Sequence, residues 1–317
     1  MLGIMLAVNG ARYQMQLHRD SKPSGYWYYF SYESPITPDI RARVISYSAE
    51  IHFSHTMKRF RNISELSTSI DLKEYEKKRW DKQIKAGLKI PGEYERFKAA
   101  VDAMGDKLKL KDMSGTKNPS IGSKGIEEIA RVLQDGLSQG RDVIGIVIDY
   151  AGIMVERQMA ARNDKVENEF AHLNRFVNNV RTQIAGRFNC IVWVLHQLHG
   201  DAAAASPTTK QHHSKARGAR NFADNANFAF NIGTKDLQTG CCVITCSKAR
   251  RAEMLKDPPI IYLDGPFGLM EAQDNKYQLD QNTKKIVNKE LSKRFQNSSI
   301  SDLDKLINRS NKSVPEI

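Results

Sequence analysis

A chain of 317 residues, 40% hydrophobic and 26% charged, has the composition of one large globular domain or two small ones, which excludes a disordered or fibrous protein. The 48 Lys and Arg exceed the 36 Asp and Glu by twelve, and that basic excess favours a polyanionic partner. No run approaches the roughly 18 apolar residues of a membrane span, and the four cysteines sit in apolar runs without a C-x-x-C pair, so the expectation is a cytoplasmic chain with no membrane partner and no disulfide framework.

The amino end, Leu2 to Leu17, reads as a helix. Tyr26 to Ser31 is an aromatic strand, and Thr37-Pro38-Asp39 marks a helix start, with a capping hydroxyl, proline at the first position and an acid near the positive end. That helix is expected from Pro38 towards His52. Residues 58–98 carry twelve Lys and Arg and seven Asp and Glu, which reads as surface helices, a variable insertion over about 56–105. Leu108 to Lys111 is a short strand, and Ile126 to Leu137 an amphipathic helix. Val143 to Asp149 and Cys190 to Leu195 are continuous apolar runs, as in strands buried on both faces, with a helix over Val166 to Phe188 between them. Phe228 to Ile232, Cys241 to Cys246 and Ile260 to Leu263 follow as closely spaced strands. The pattern predicts an α/β fold with a mostly parallel central sheet and late antiparallel edge strands, over residues 1–272. From Gln273 to Ile317 the chain is polar, with nine Lys and Arg and six Asp and Glu, and reads as a tail.

Four segments carry candidate chemistry. Asp149 ends an apolar strand, where α/β folds bind ligands and where a carboxylate oxygen suits Mg²⁺, directly or through water. Glu33 closes another strand in Phe30-Ser31-Tyr32-Glu33 and has the chemistry to polarise an attacking water. Gln197 follows a third apolar strand, placing an amide where a γ-phosphate is sensed. Lys248 and Arg250 follow a late strand, and alternation puts both on one side, so that both reach a single phosphate. Taken singly, each has an ordinary structural reading as a capped strand end or an exposed turn.

In this order the four segments resemble the RecA-like core of hexameric replicative helicases of the DnaB type, whose pattern is S-x-E, I-D-Y, S-Q-L and K-x-R. The matching residues here are Ser31-Tyr32-Glu33, Ile148-Asp149-Tyr150, His196-Gln197-Leu198 and Lys248-Ala249-Arg250, and Ala216 to Phe228 resembles the segment before the family's next strand. His196 stands where the family has serine, and the Asn-Gly that follows K-x-R is absent, which points towards a phage or plasmid relative. The resemblance implies a P-loop NTPase that uses ATP and Mg²⁺ to move on single-stranded DNA in replication, as a self-assembled hexameric ring, with a primase or helicase loader as a further partner. It makes Glu33 the catalytic base, Asp149 the Mg²⁺-side acid and Gln197 the phosphate sensor. Lys248 and Arg250 would contact the neighbouring subunit's nucleotide.

The family's phosphate loop, G-x-x-x-x-G-K-[ST], is missing, since none of the 20 glycines is followed by Lys. In the family that loop precedes the helix matched by Leu2 to Leu17, so the expectation is a core truncated just after it. The strand feeding the loop would be absent too, leaving its neighbours about 10 Å apart, or two strand spacings, unless they close up; otherwise main-chain groups stay unpaired. Little or no turnover is then expected of the chain alone.

Ala202 to Ala223 contains no acid but holds Lys210, Lys215, Arg217 and Arg220, a basic loop suited to single-strand phosphates through counterion release. His52 with His55 and His196 with His199 lack further ligands at zinc spacing. Two other functions fit the same residues: another RecA-like ATPase of the recombinase or KaiC-like kind, and a non-catalytic nucleic-acid-binding ring subunit.

Overall fold

The computed structural model describes residues 2–49, 92–115, 124–161, 163, 169–197, 225–233, 241–250, 260–264 and 269–272. Its elements divide between two compact units, one within Met1–Gln197 and the other within Leu198–Asp264 and Leu269–Ile317.

The first unit is built around the aromatic strand β1 (Tyr26–Ser31). It pairs in parallel with β2 (Leu108–Asp112) on one side and β3 (Val143–Asp149) on the other, and β4 (Ile191–Val194) adds to β3. The order is β2-β1-β3-β4, all parallel, so each connection is a crossover and helices cover both faces. No gap separates these strands: β1, β3 and β4 pair directly, which is the closed-up outcome of the two expected for a missing strand.

Side-chain alternation splits β1 between the two faces. On the Trp27 and Tyr29 face lie α1 (Leu2–Arg19), α2 (Arg41–Ala49) and α3 (Glu93–Met104), joined with Val147 in one apolar cluster. Glycines let α1 approach closely: a Cβ at Gly10 would stand 2.1 Å from the Trp27 ring, and one at Gly3 would stand 2.7 Å from Leu195 Cδ1. Because Gly3 also neighbours Val147 and Tyr29 while Gly10 meets Trp27, α1 runs antiparallel to the strands, with its amino end at their carboxyl ends. On the Tyr28 and Phe30 face, α4 (Ile126–Ser138) buries Ile129 and Leu133, and its Gly136 sits against the Tyr28 hydroxyl. α5 (Ala151–Ala161) follows β3, and α6 (Glu169–Asn179) leads through a π-helical stretch, Val180–Gly186, towards β4.

Several expectations are corrected. The helix expected from Pro38 opens as a π-helical turn, Ile36–Ile40, before α2 begins: the Ile40 N–H reaches back five residues to the Pro35 carbonyl at 3.4 Å, around a proline that has no N–H to give. The stretch read as surface helices contributes α3, which buries Phe97 completely and also Tyr94, Ala100 and Met104, because its aromatic and small residues fall on one helical face. The helix α5 and the last strand described below went unforeseen. Residues 56–91, the basic loop with Lys210, Lys215, Arg217 and Arg220, and the tail 273–317 lie outside the described residues.

The second unit holds β5 (Phe228–Ile232), β6 (Cys241–Ala249), β7 (Ile260–Asp264) and β8 (Leu269–Ala272), paired antiparallel in chain order. These strands were expected on the edge of the parallel sheet; among the described residues they pair only with one another. Short connections favour neighbours in sequence, and a hairpin-linked set closes on itself. The register between β5 and β6 slips at Ser247, whose hydroxyl accepts a 2.7 Å hydrogen bond from the buried Asn231 amide. No helix among the described residues is long and apolar enough to cross a membrane.

Candidate functional site

The parallel ladder brings several of the singled-out residues to one end. Ser31 is in register with Asp112 on one side and Asp149 on the other, so a hydroxyl stands between two carboxylates at the carboxyl ends of β2, β1 and β3. This is the end at which open α/β sheets bind ligands. The backbone closes the row: Tyr32 N–H donates to the Asp149 carbonyl at 2.7 Å, and Met113 N–H to the Ser31 carbonyl at 2.8 Å. Beyond β4, Leu195 N–H donates to Ile148 O at 3.0 Å, and Ala151 N–H returns to Leu195 O at 3.1 Å, fixing where the chain leads into His196 and Gln197.

Asp149 is half-buried, and its Oδ2 accepts a short hydrogen bond from Tyr29 Oη. Burial pushes the Tyr29 phenol well above its ordinary pKa, and the charges of Asp149 and Glu33 push it further, against Arg43. The phenol therefore remains a donor and holds one oxygen of Asp149, with no hydrogen bond to Oδ1 among the described residues. Glu33 is exposed, two residues past the strand, on a turn pinned by Ser31, whose Oγ donates to Ser34 O at 2.6 Å.

Gln197 is exposed and His196 half-buried. In the second unit Lys248 lies within β6, opposite Ala229, rather than after the strand as expected. Arg250 follows immediately, exposed, with its N–H bonded to Asn227 O at 2.7 Å. The slip at Ser247 precedes both residues, so their shared side survives it.

Three residues of the site were missed from sequence. Asp112 looked like the residue after a short strand, yet its carboxylate accepts from Ile36 N–H at 3.2 Å and from Ser114 N–H and Oγ at 2.9 and 2.6 Å, tying together the segments that follow β1 and β2. Tyr29 was one aromatic among several, and Arg43 one cation on a helix. Only the parallel register, which alternation alone does not supply, sets Tyr29 beside Asp149 and Asp112 across Ser31 from it, while the charge of Arg43 acts on the same phenol from α2. Among the described residues no group of three His, Cys, Asp or Glu converges as a metal site, so a cation at Asp149 Oδ1 would draw its remaining ligands from water or a bound phosphate. No family model and no curated protein matches the chain.

Proposed function

We propose that the chain is a RecA-like, ATP-driven helicase motor core that acts on single-stranded DNA as a ring. One observation carries the reading: the acidic carboxyl end of an all-parallel sheet lies beside the amino end of α1. A helix amino end presents unpaired N–H groups and partial positive charge to a phosphate, and carboxylates beside it suit Mg²⁺ and an attacking water. In this scheme Asp149, steadied by Tyr29, takes Mg²⁺ through Oδ1. Glu33 accepts the proton of the attacking water, and Gln197 senses the γ-phosphate. Lys248 and Arg250 reach the nucleotide of a neighbouring copy, and the 202–223 loop grips the strand. A primase or helicase loader is the further partner this scheme invites.

ATP hydrolysis with and without single-stranded DNA tests it. The chain alone, with no G-x-x-x-x-G-K-[ST] among its residues, is expected to turn over little ATP. Supplied with such a loop ahead of α1, it is expected to hydrolyse ATP with stimulation by DNA. Glu33→Gln should then lower kcat by about 10²–10⁴-fold while nucleotide binding is retained. Hydrolysis by neither form would leave a nucleic-acid-binding subunit as the reading.

A further inference from the structure

Lys107 directly precedes β2, and Lys109 and Lys111 follow at every second position within it, with Leu108 and Leu110 turned to the apolar cluster of the opposite face. Same-face residues on a strand repeat about every 6.6 Å, so these lysines form a ladder of cations along the sheet edge. Charged side chains on an edge strand ordinarily stand out in water, where they deter pairing with other strands. Here they are drawn in: Lys107 is 5% exposed, and the Lys109 side chain 24%. The Lys107 ammonium stands 4.5 Å from the Tyr26 ring centroid and that of Lys109 5.1 Å, so one ring gathers two cations.

Compensation for this charge is thin. Asp106 pairs with Lys109 at 3.6 Å and accepts from Tyr26 Oη at 3.2 Å. No carboxylate lies within ion-pair distance of Lys107 or Lys111 among the described residues. The acids whose charges act on Lys111, Glu128 and Asp135, are engaged with Arg131 at 2.6 and 2.7 Å. Arg141 adds a further positive charge that acts on both Lys109 and Lys111. Burial, with repulsion from Arg141 and for Lys111 from Arg131, holds both ammonium groups below the ordinary lysine range, against the pull of Asp106 on Lys109 and of Asp135 and Glu128 on Lys111. A folded chain that keeps cations half-desolvated and mutually repelling has forgone stability that an arriving anion restores.

We propose that Lys109, Lys111 and Arg141, reinforced by the buried charge of Lys107, form a second contact for the phosphodiester backbone of a single strand, on the outer edge of the parallel sheet. A linear ladder suits a linear polyanion better than a compact one, and the basic excess of the whole chain supports that partner. The inference rests on the single-strand reading above and adds a surface that it does not contain.

The test uses the full chain and a fluorescein-labelled dT20 oligonucleotide, with anisotropy followed across KCl concentration. Lys109→Gln with Lys111→Gln is expected to weaken binding and to lower the slope of log K against log salt by about 1.4, which corresponds to two phosphates on a single strand. Lys109→Arg with Lys111→Arg should restore it, and Lys98→Gln, exposed on α3, should change little. Acetylation of the unaltered chain needs no variant: dT20 should protect Lys109 and Lys111 from the reagent. Unchanged slope and unchanged acetylation, with dT20 still bound, would remove the ladder and leave the single-strand reading intact. No binding of dT20 by the unaltered chain would overturn both. Equal binding of polyglutamate, with the same loss in the Gln variant, would assign the ladder to an acidic protein instead and overturn the nucleic-acid assignment.

Discussion

Tyr32 is wholly buried directly before Glu33, and its hydroxyl has no hydrogen-bond partner among the described residues. Burial, and then the charges of Glu128 and Glu127, push its pKa above the ordinary value near 10, against Arg157. The folded state therefore holds the phenolic proton after the unfolded chain has released it. The stability this gives is complete below pH 10 and falls as pH rises beyond that. Tyr32→Phe should remove about 1.4 kcal/mol of loss per pH unit above 10, read from urea unfolding at pH 9 to 11. It should also relieve an unsatisfied hydroxyl at neutral pH, for a gain of about 1 kcal/mol. A curve parallel to the parent's would show that the hydroxyl is solvated in the fold. The same stretch shows what could be read at this scale. Glu33 and Asp149 were visible because each closes an apolar run. Asp112 and Tyr29 were not, because their roles depend on which strands become neighbours.

Among the elements, α1 depends on two close approaches to the sheet. Gly10 leaves space that the Trp27 ring fills, and Gly145 on β3 meets the same ring, where a Cβ would come within 2.6 Å. The indole is thus held between a helix and a strand that lack side chains there. Gly10→Ala should cost about 1–3 kcal/mol, because the ring is confined on both sides, and a lowered Tm by circular dichroism is the check. An unchanged Tm would mean that α1 lifts from the sheet without penalty. Strand positions were the most legible part of the fold, because continuous apolar runs bounded by polar residues admit few other readings. Helix character was less so. The turn at Ile36–Ile40 and the stretch Val180–Gly186 keep helical periodicity in sequence while their backbones widen to π geometry, and composition does not distinguish the two. The separate pairing of β5 to β8 was hidden for a different reason. Spacing predicts antiparallel neighbours without saying which sheet they join.

For the molecule as a whole, the basic excess is unevenly spread along the sequence. The 202–223 stretch contributes four cations and no acid. If that segment grips a strand, Lys215→Glu with Arg217→Glu should weaken dT20 binding and flatten its salt dependence by at least about 1.4 in slope, since two phosphate contacts become repulsive. Anisotropy across KCl reads this directly, and an unaltered affinity would exclude the loop from binding. The two sheets differ in how much of their origin lies in sequence order: the antiparallel one follows the chain, while the parallel one is shuffled to β2-β1-β3-β4 by its crossovers.

The outer strands of that parallel sheet are unlike. Strand β2 presents lysines along its length, whereas β4 is Ile-Val-Trp-Val, with no charge and with Ile191 55% exposed. Among the described residues nothing pairs with the far side of β4. An uncharged, β-branched strand is, in general, the kind of border to which further strands add edge to edge. The two borders of the sheet therefore differ in kind, one carrying positive charge and the other none.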